Sequence, residues 1–184
     1  MQGFDDLPRS TQIRRIRRLG EIALAAYDLE VVRITLLQHF LNTTFQVDAY
    51  ARANRANRDT ITSGCLQRYT LRVSRPGFQD ASTIRSELLW LQAIHDQTDL
   101  VVPEPILACD GSLLTTVSSA GVPEPRHCAI FCWVEGRFHH SSLKPTDLER
   151  VGKFMAKLHQ HVQQWTLPAG FIRKRWDIAG IRTC

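Results

Sequence analysis

Hydrophobic and polar residues follow two different periods along this chain, and each period predicts one kind of element. The segment RYTLRVSR, residues 68–75, is apolar at every second position, which is the period of a half-buried strand. Two strands are predicted before it, at about Ile34–Phe40 and Thr44–Tyr50. The residues LNTT between them favour a tight turn, because Asn and Thr side chains bond nearby backbone. The polar residues 51–66 are then predicted to form a loop.

Three other segments have the 3.6-residue period of an amphipathic helix. The first lies within the leading 30 residues, and its predicted buried face consists of Ile13, Ile16, Leu19, Ala23 and Tyr27. The last, TDLERVGKFMAKLHQHVQQW, is predicted to begin with a capping box of Thr146 and Glu149. Its predicted buried face consists of Leu148, Val151, Met155, Leu158, Val162 and Trp165.

The middle helix, DASTIRSELLWLQAIHDQT, is predicted to begin after a cap at Asp80 or Ser82. Its apolar face carries Ile84, Leu88, Leu91 and His95. Glu87 lies inside that face, where a carboxylate is costly unless it is paired. The candidate partners are Arg72, in the middle of the third strand, and Arg85 or another surface arginine.

Short strands are predicted between the second and third helices, near Pro105–Cys109, Ser112–Ser118 and His127–Val134. The Asp-Gly pair at 110–111 is a hairpin turn signal between the first two. The full order is helix, two or three strands, helix, two or three strands, helix. A small antiparallel sheet with one helix packed on it is an α+β arrangement.

Composition limits the class of protein. The chain has 184 residues, of which 43% are hydrophobic and 22% are charged, and this suits one globular domain or one domain and part of another. No apolar run approaches the roughly 18 residues of a membrane span, and the first residues lack the apolar core of a secretory signal. The cysteine spacings match neither paired zinc motifs nor a disulfide framework. We therefore expect buried free thiols at Cys128 and Cys132, no membrane partner and a cytoplasmic location.

The formal net charge is +5, and the first predicted helix carries an arginine cluster at Arg14, Arg15, Arg17 and Arg18. Such a cluster is compatible with nucleic-acid binding, with an anionic membrane surface or with a targeting peptide. A simpler interpretation is a solvated helix face whose apolar side covers a domain. We favour this simpler interpretation over a nucleic-acid partner.

Five stretches stand in a fairly specific order and spacing: LNTTFQV, RYTLRVSRPG, IRSELLWLQAI, CAIFCWVEGR and LERVGKFMAKLHQHV. Together they resemble the amino-terminal lobe of the aminoglycoside phosphotransferase, choline kinase and homoserine-kinase-like family, which has a protein-kinase-like fold. The resemblance covers about residues 34–177. It implies an amino-terminal basic helix over residues 1–30, a nucleotide-binding lobe over 31–136, and the start of an incomplete second lobe over 137–184.

The resemblance also implies roles for individual residues. Arg72 takes the strand position whose basic residue holds the nucleotide phosphates, and Glu87 takes the helix position whose carboxylate pairs with it. This suits phosphoryl transfer, which needs phosphates held and charge neutralised. LNTT resembles the turn over the phosphates, and FCWVEG resembles the hinge whose backbone binds adenine. The implied nucleotide-binding residues are Asn42, Thr43, Thr44, Arg72, Glu87, Cys132, Trp133 and Val134.

The implied enzyme is a small-molecule kinase that uses ATP with Mg²⁺ and phosphorylates a hydroxyl of an aminoglycoside, choline, homoserine or similar substrate. Three departures limit the resemblance. Arg72 replaces the usual lysine, and the two are not interchangeable. LNTT contains no glycine, so close backbone approach to phosphate is less assured. The family's H-G-D…N catalytic loop and its metal-binding aspartate strand are not found in the sequence.

No catalytic or magnesium-binding residue is therefore assigned. We expect the chain as given to be a fragment, a truncated product or a degenerate protein, inactive alone and able to self-associate through an exposed cleft face. Two other functions stay open: a non-catalytic binding module of the same fold, and a nucleic-acid-binding domain driven by the arginine cluster. A salt-dependent gel shift would support the latter.

Overall fold

An antiparallel six-stranded sheet lies at the centre of the computed structural model, which describes residues 3–52, 65–136 and 143–173. The strand order is β1-β2-β3-β6-β4, and β5 pairs with β6 beside β4. The predicted α+β class with an antiparallel sheet is confirmed. In chain order the elements are α1 (Arg9–Leu24), β1 (Leu29–His39), β2 (Asn42–Ala51), β3 (Leu66–Ser74), α2 (Ala81–Gln97), β4 (Pro105–Ile106), β5 (Thr115–Val117), β6 (Arg126–Cys132) and α3 (Pro145–Gln164).

The first hairpin turns at Phe40 and Leu41, before the predicted position. The Phe40 N–H donates to the Asn42 carbonyl at 3.0 Å, and His39 pairs with Thr43 in the register. The predicted LNTT turn is therefore wrong, because the His39–Thr43 pair extends the ladder and makes residues 42–44 part of β2. Most of the predicted loop at 51–66 lies outside the described residues.

The two faces of the sheet carry different helices, because successive strand residues point to opposite faces. On one face the side chains of Leu71 and Val73 join those of Ile16 and Leu19 from α1 in the main hydrophobic core. On the other face α2 packs on β6 through a smaller cluster that contains Ile84, Leu88, Leu114, Ala129 and Phe131. The sheet is thus covered on both sides, and Arg72 lies between the two core residues of β3 but faces α2.

The helix α1 buries Ile16, Leu19 and Ala23, as its period predicts. Tyr27 is also buried but lies beyond the end of α1. Gly20 brings α1 close to the sheet, because a Cβ at this position would stand 2.9 Å from Leu71 Cδ2.

Two arginines of the cluster on α1 have partners in this chain. Arg15 Nη1 donates to the Gly121 carbonyl at 2.8 Å, and Arg17 Nε lies 3.4 Å from Glu21 Oε1. Arg14, Arg17 and Arg18 are exposed. This arrangement is that of a solvated helix face whose apolar side covers the sheet.

The helix α2 begins as predicted, with Asp80 as its cap. The Asp80 carboxylate accepts from the Thr83 N–H at 2.7 Å, and this bond, with those from the Thr83 and Ser82 side chains, lowers the Asp80 pKa to about 2. Ile84 and Leu88 are fully buried. His95, predicted on the same face, is instead exposed and lies 3.5 Å from Glu104.

The helix α3 differs from its prediction in both its start and its buried face. Its first turn is capped by the Asp147 carboxylate, which accepts from the Lys144 N–H at 3.0 Å, so the predicted capping box of Thr146 and Glu149 is wrong. Phe154 and Leu158 pack on the end of α2 and the segment after it. The residues of the predicted buried face that are instead 44–59% exposed are Leu148, Val151, Met155 and Val162.

The described cysteines are free thiols, as predicted. Cys128 is buried and Cys132 is half-buried, and burial raises the pKa of each to about 12. Cys65 and Cys109 are exposed, and Cys184 lies outside the described residues. Within residues 3–52, 65–136 and 143–173, no group of three or more His, Cys, Asp or Glu side chains is placed to hold a metal ion. No helix in these ranges is long and apolar enough to cross a membrane.

Candidate functional site

Arg72 and Glu87 form a two-point ion pair between β3 and α2. Arg72 Nη1 lies 2.7 Å from Glu87 Oε1, and Nη2 lies 3.1 Å from Oε2. The Arg72 side chain is 17% exposed and that of Glu87 is 35% exposed. Because a guanidinium fork matches both oxygens of a carboxylate, the pair fixes the orientation of Arg72. The pair also provides Glu87 with a cationic partner, which a carboxylate within the apolar face of α2 requires.

The guanidinium of Arg72 keeps free donors after this pairing. A guanidinium has five N–H donors and Glu87 accepts two of them, so three remain. Within the described residues no other acceptor takes them. Arg72 can therefore be held by Glu87 and bind an anion at the same time.

The Arg72 guanidinium lies over the ring of Phe131, and Phe131 was not among the predicted site residues. The Arg72 guanidinium carbon lies 5.0 Å from the centroid of the Phe131 ring, which is buried. The register pairs Arg72 with Ala129, so Phe131, two residues along β6, faces the same side. The alternation in CAIFC could have indicated this face, but the pairing of β3 with β6 could not be known from the sequence.

The three predicted residues at the start of β2 do not share one face. Thr44 stands directly opposite Arg72 in the register, and Asn42 stands opposite Ser74, so both lie on the Arg72 face. The Thr43 side chain points to the α1 face, is 4% exposed, and has its Oγ1 at 2.8 Å from His39 Nδ1.

The predicted hinge residues lie at the end of β6 and directly after it, at the opposite end of the site. The Cys132 N–H donates to the Glu104 carbonyl at 2.8 Å, and the Trp133 N–H donates to the Arg68 carbonyl at 3.3 Å. The Val134 N–H has no hydrogen-bond partner within the described part of the chain, and Val134 is 37% exposed. Val134 thus offers a backbone donor that no described residue uses.

Arg68 and Glu135 flank the hinge, and neither was predicted as a site residue. The Arg68 guanidinium carbon lies 5.4 Å from the centroid of the Trp133 ring, and Arg68 is paired with Glu135. Tyr69 pairs with Cys132, and Ser74 pairs with Asn42. The candidate site thus follows β3 from Asn42 at one end to the hinge at the other, with Arg72 between them.

Comparison with known proteins identifies the family. The model of the phosphotransferase enzyme family, APH, matches residues 40–181. The structure of the microcompartment-associated aminopropanol kinase is 32% identical and superimposes with a TM-score of 0.66 over 88% of this chain and 45% of that chain.

An amicoumacin kinase, solved in complex with AMP-PNP, Ca²⁺ and Ami, is 14% identical with a TM-score of 0.66, over 92% of this chain and 47% of that chain. At 14% sequence identity, this similarity shows a shared fold alone. No curated protein sequence shows a significant match. The chain spans less than half the length of either kinase. With its family match over most of its length, the chain belongs to the phosphotransferase enzyme family.

Proposed function

We propose that this chain supplies the nucleotide-binding lobe of an ATP-dependent kinase that phosphorylates a hydroxyl group of a small molecule. The two-point pair of Arg72 and Glu87 is the observation that carries the proposal. Family membership supports phosphoryl transfer as the reaction. In this proposal residues 31–136 form the lobe, α1 covers one face of its sheet, and α3 begins the part that follows the hinge.

Arg72 is proposed to bind the nucleotide phosphates with the donors that Glu87 leaves free. Positioning and neutralisation of phosphate charge are the main tasks of a protein in phosphoryl transfer. A guanidinium fixed by a carboxylate has a lower ordering cost on binding than a mobile one. The amicoumacin kinase, which shares this fold, was solved with AMP-PNP and Ca²⁺, and this supports ATP with Mg²⁺ as the nucleotide of the present chain. ATP would supply the phosphoryl group and Mg²⁺ would neutralise part of its charge.

The two ends of β3 are proposed to hold the two ends of the nucleotide. The free N–H of Val134 suits a ring nitrogen of adenine, and Trp133 lies beside it. Asn42 and Thr44 lie on the Arg72 face at the phosphate end, where an amide and a hydroxyl can donate to phosphate oxygens. We assign Thr43 no nucleotide contact, since its side chain is bonded to His39 on the α1 face and its backbone lies between β1 and β3 in the sheet.

The acceptor is proposed to be an amino alcohol. The aminopropanol kinase is 32% identical to this chain over 88% of its length, which supports a related substrate. This proposal narrows the aminoglycoside, choline and homoserine-like classes to small hydroxyl compounds that carry an amino group.

Thermal unfolding with Mg²⁺ and ATP tests the proposal. We expect ATP to raise the unfolding temperature of the protein. Loss of a charged hydrogen-bonding partner costs roughly 1.5–3 kcal/mol, so Arg72→Gln should weaken ATP binding about 10- to 100-fold. Arg85→Gln removes an exposed arginine from α2 and serves as the matched control with unchanged binding. The proposal fails if ATP gives no stabilisation at millimolar concentration, or if the Arg72 variant keeps the full response.

A further inference from the structure

A second cavity lies on the opposite face of the sheet from Arg72. It has a volume of about 330 Å³ and lies between α1, the turn after β1, the end of β3 and the segment before β6. Val73 lines it, and Val73 points to the α1 face while Arg72 points to α2. This volume lies at the lower end of the range of small-molecule sites. We refer to it as the Arg126 cavity.

Arg126 is the first residue of β6 and lines this cavity. It is 6% exposed, and its Nε and Nη1 atoms are buried with no hydrogen-bond partner among the described residues. The ring of Phe4 lies 5.8 Å from its guanidinium carbon, and no carboxylate in the described ranges forms an ion pair with it. A buried charge normally has a hydrogen-bonded partner, and among the described residues no carboxylate makes that contact with this guanidinium.

The lining residues carry balanced formal charge, with Arg75 and Arg126 set against Asp5 and Glu124, and Arg9 beside His39 adds one positive charge. Arg9 Nη2 donates to the His39 carbonyl at the edge of the cavity at 2.9 Å. Burial, Arg9 and Arg75 together lower the His39 pKa, which keeps that imidazole neutral near pH 7. Two carboxylates, those of Asp5 and Glu124, also line the cavity. Neither forms an ion pair with Arg126 among the described residues, and burial lowers the Arg126 pKa although both carboxylates act to raise it.

We propose that the Arg126 cavity binds a small oxyanion, a phosphate or carboxylate group carried by a small molecule, with the Arg126 guanidinium as its main ligand. An oxyanion satisfies the buried guanidinium with charge-assisted bonds. This site is separate from the proposed nucleotide site, and it does not depend on the function proposed above.

The direct test follows the Arg126 side chain by NMR while sodium phosphate or sodium acetate is added to the whole chain. Sodium chloride at equal ionic strength is the control for screening. We expect the Arg126 Nε–H signal to shift and saturate with phosphate, with acetate or with both, and not with chloride. The anion that shifts it assigns the group as phosphate or carboxylate. A signal that moves with none of these salts, or equally with chloride, overturns the proposal.

Variants of Arg126 distinguish anion binding from a purely structural role of this residue. In Arg126→Met the rise in unfolding temperature that the assigned anion causes in the unchanged protein should disappear, while the unfolding temperature without added anion should equal or exceed that of the unchanged protein, because an unpaired buried charge has been removed. Arg126→Lys keeps the charge without the fork and should bind about tenfold more weakly. Arg72→Gln should leave the response at Arg126 intact. An Arg126→Met protein that fails to fold would contradict the proposal, since Arg126 would then be needed for structure without any ligand.

Discussion

The coupling between Arg72 and Glu87 can be measured by a double-mutant cycle of Arg72→Gln and Glu87→Gln. Both side chains are partly buried, at 17% and 35% exposure, and two N–H···O bonds of 2.7 and 3.1 Å join them. We expect the two charge-assisted bonds to give a coupling energy of about 1–2 kcal/mol. This value is lower than for a fully buried pair, because solvent that reaches Glu87 screens the interaction. Because Arg72 is the more buried partner, Glu87→Gln should destabilise the protein more than Arg72→Gln does.

Urea unfolding of the two single variants and the double variant provides the assay, since urea adds no ionic strength. The pair of Arg17 and Glu21 is the internal control: one N···O distance of 3.4 Å joins side chains that are each 51% exposed. Exposed helical pairs of this spacing contribute about 0.3–0.5 kcal/mol. Added salt should reduce the coupling of the control pair by a larger fraction than that of Arg72 and Glu87.

A coupling energy for Arg72 and Glu87 no larger than that of the control pair would refute this reasoning. It would mean that the ion pair does not fix the guanidinium in solution. Arg72 would then not be a pre-oriented phosphate ligand, even if the protein bound nucleotide.

Three further outcomes follow from burial and capping. Leu71→Ala should cost roughly 2–5 kcal/mol in urea unfolding because Leu71 is fully buried, whereas Leu148→Ala on the exposed face of α3 should change stability by less than about 0.5 kcal/mol. Asp80→Ala should destabilise the protein at pH 7, and this deficit should shrink as the pH falls from about 4 towards 2, because the folded pKa of about 2 lies below the unfolded value. Asp80→Asn also lacks the titrating carboxylate, so its deficit should shrink over the same pH range, but it should be smaller at each pH because Asn is itself a good N-cap. In maleimide labelling followed by mass spectrometry, Cys109 should react in the native protein and Cys128 only after unfolding, since Cys128 is buried and its thiol pKa is about 12.

The pair of Arg72 and Glu87 could be anticipated because Glu87 interrupts the apolar face of its helix and the family resemblance pairs that carboxylate with the basic residue of the third strand. A charge within the apolar face of a helix needs a partner, and the neighbouring strand offered one. Local periods also located α2 and β3, since each has a strong period and clear end signals. The cap at Asp80 is likewise a local feature, because its partner lies three residues along the chain.

Other features could not be predicted, because they depend on which elements meet. The period of α3 identifies residues that share a face, but it does not say whether another element covers that face, so Leu148 and Val151 were expected to be buried and are exposed. The Arg126 cavity was missed because its lining includes Phe4 and His39, which are distant from Arg126 in sequence. Only the paired strands and the packed α1 bring these residues together.

The close contact of Gly20 with Leu71 has a consequence for how Arg72 can be manipulated. A methyl group at position 20 would stand 2.9 Å from Leu71 Cδ2, so Leu71 must rotate or β3 must move away from α1. Leu71 is fully buried and interiors are densely packed, so part of the displacement passes to the strand. Arg72 is the next residue and projects from the other face. A larger side chain at position 20 can therefore shift Arg72 relative to Glu87, although no group that touches either side chain has been changed.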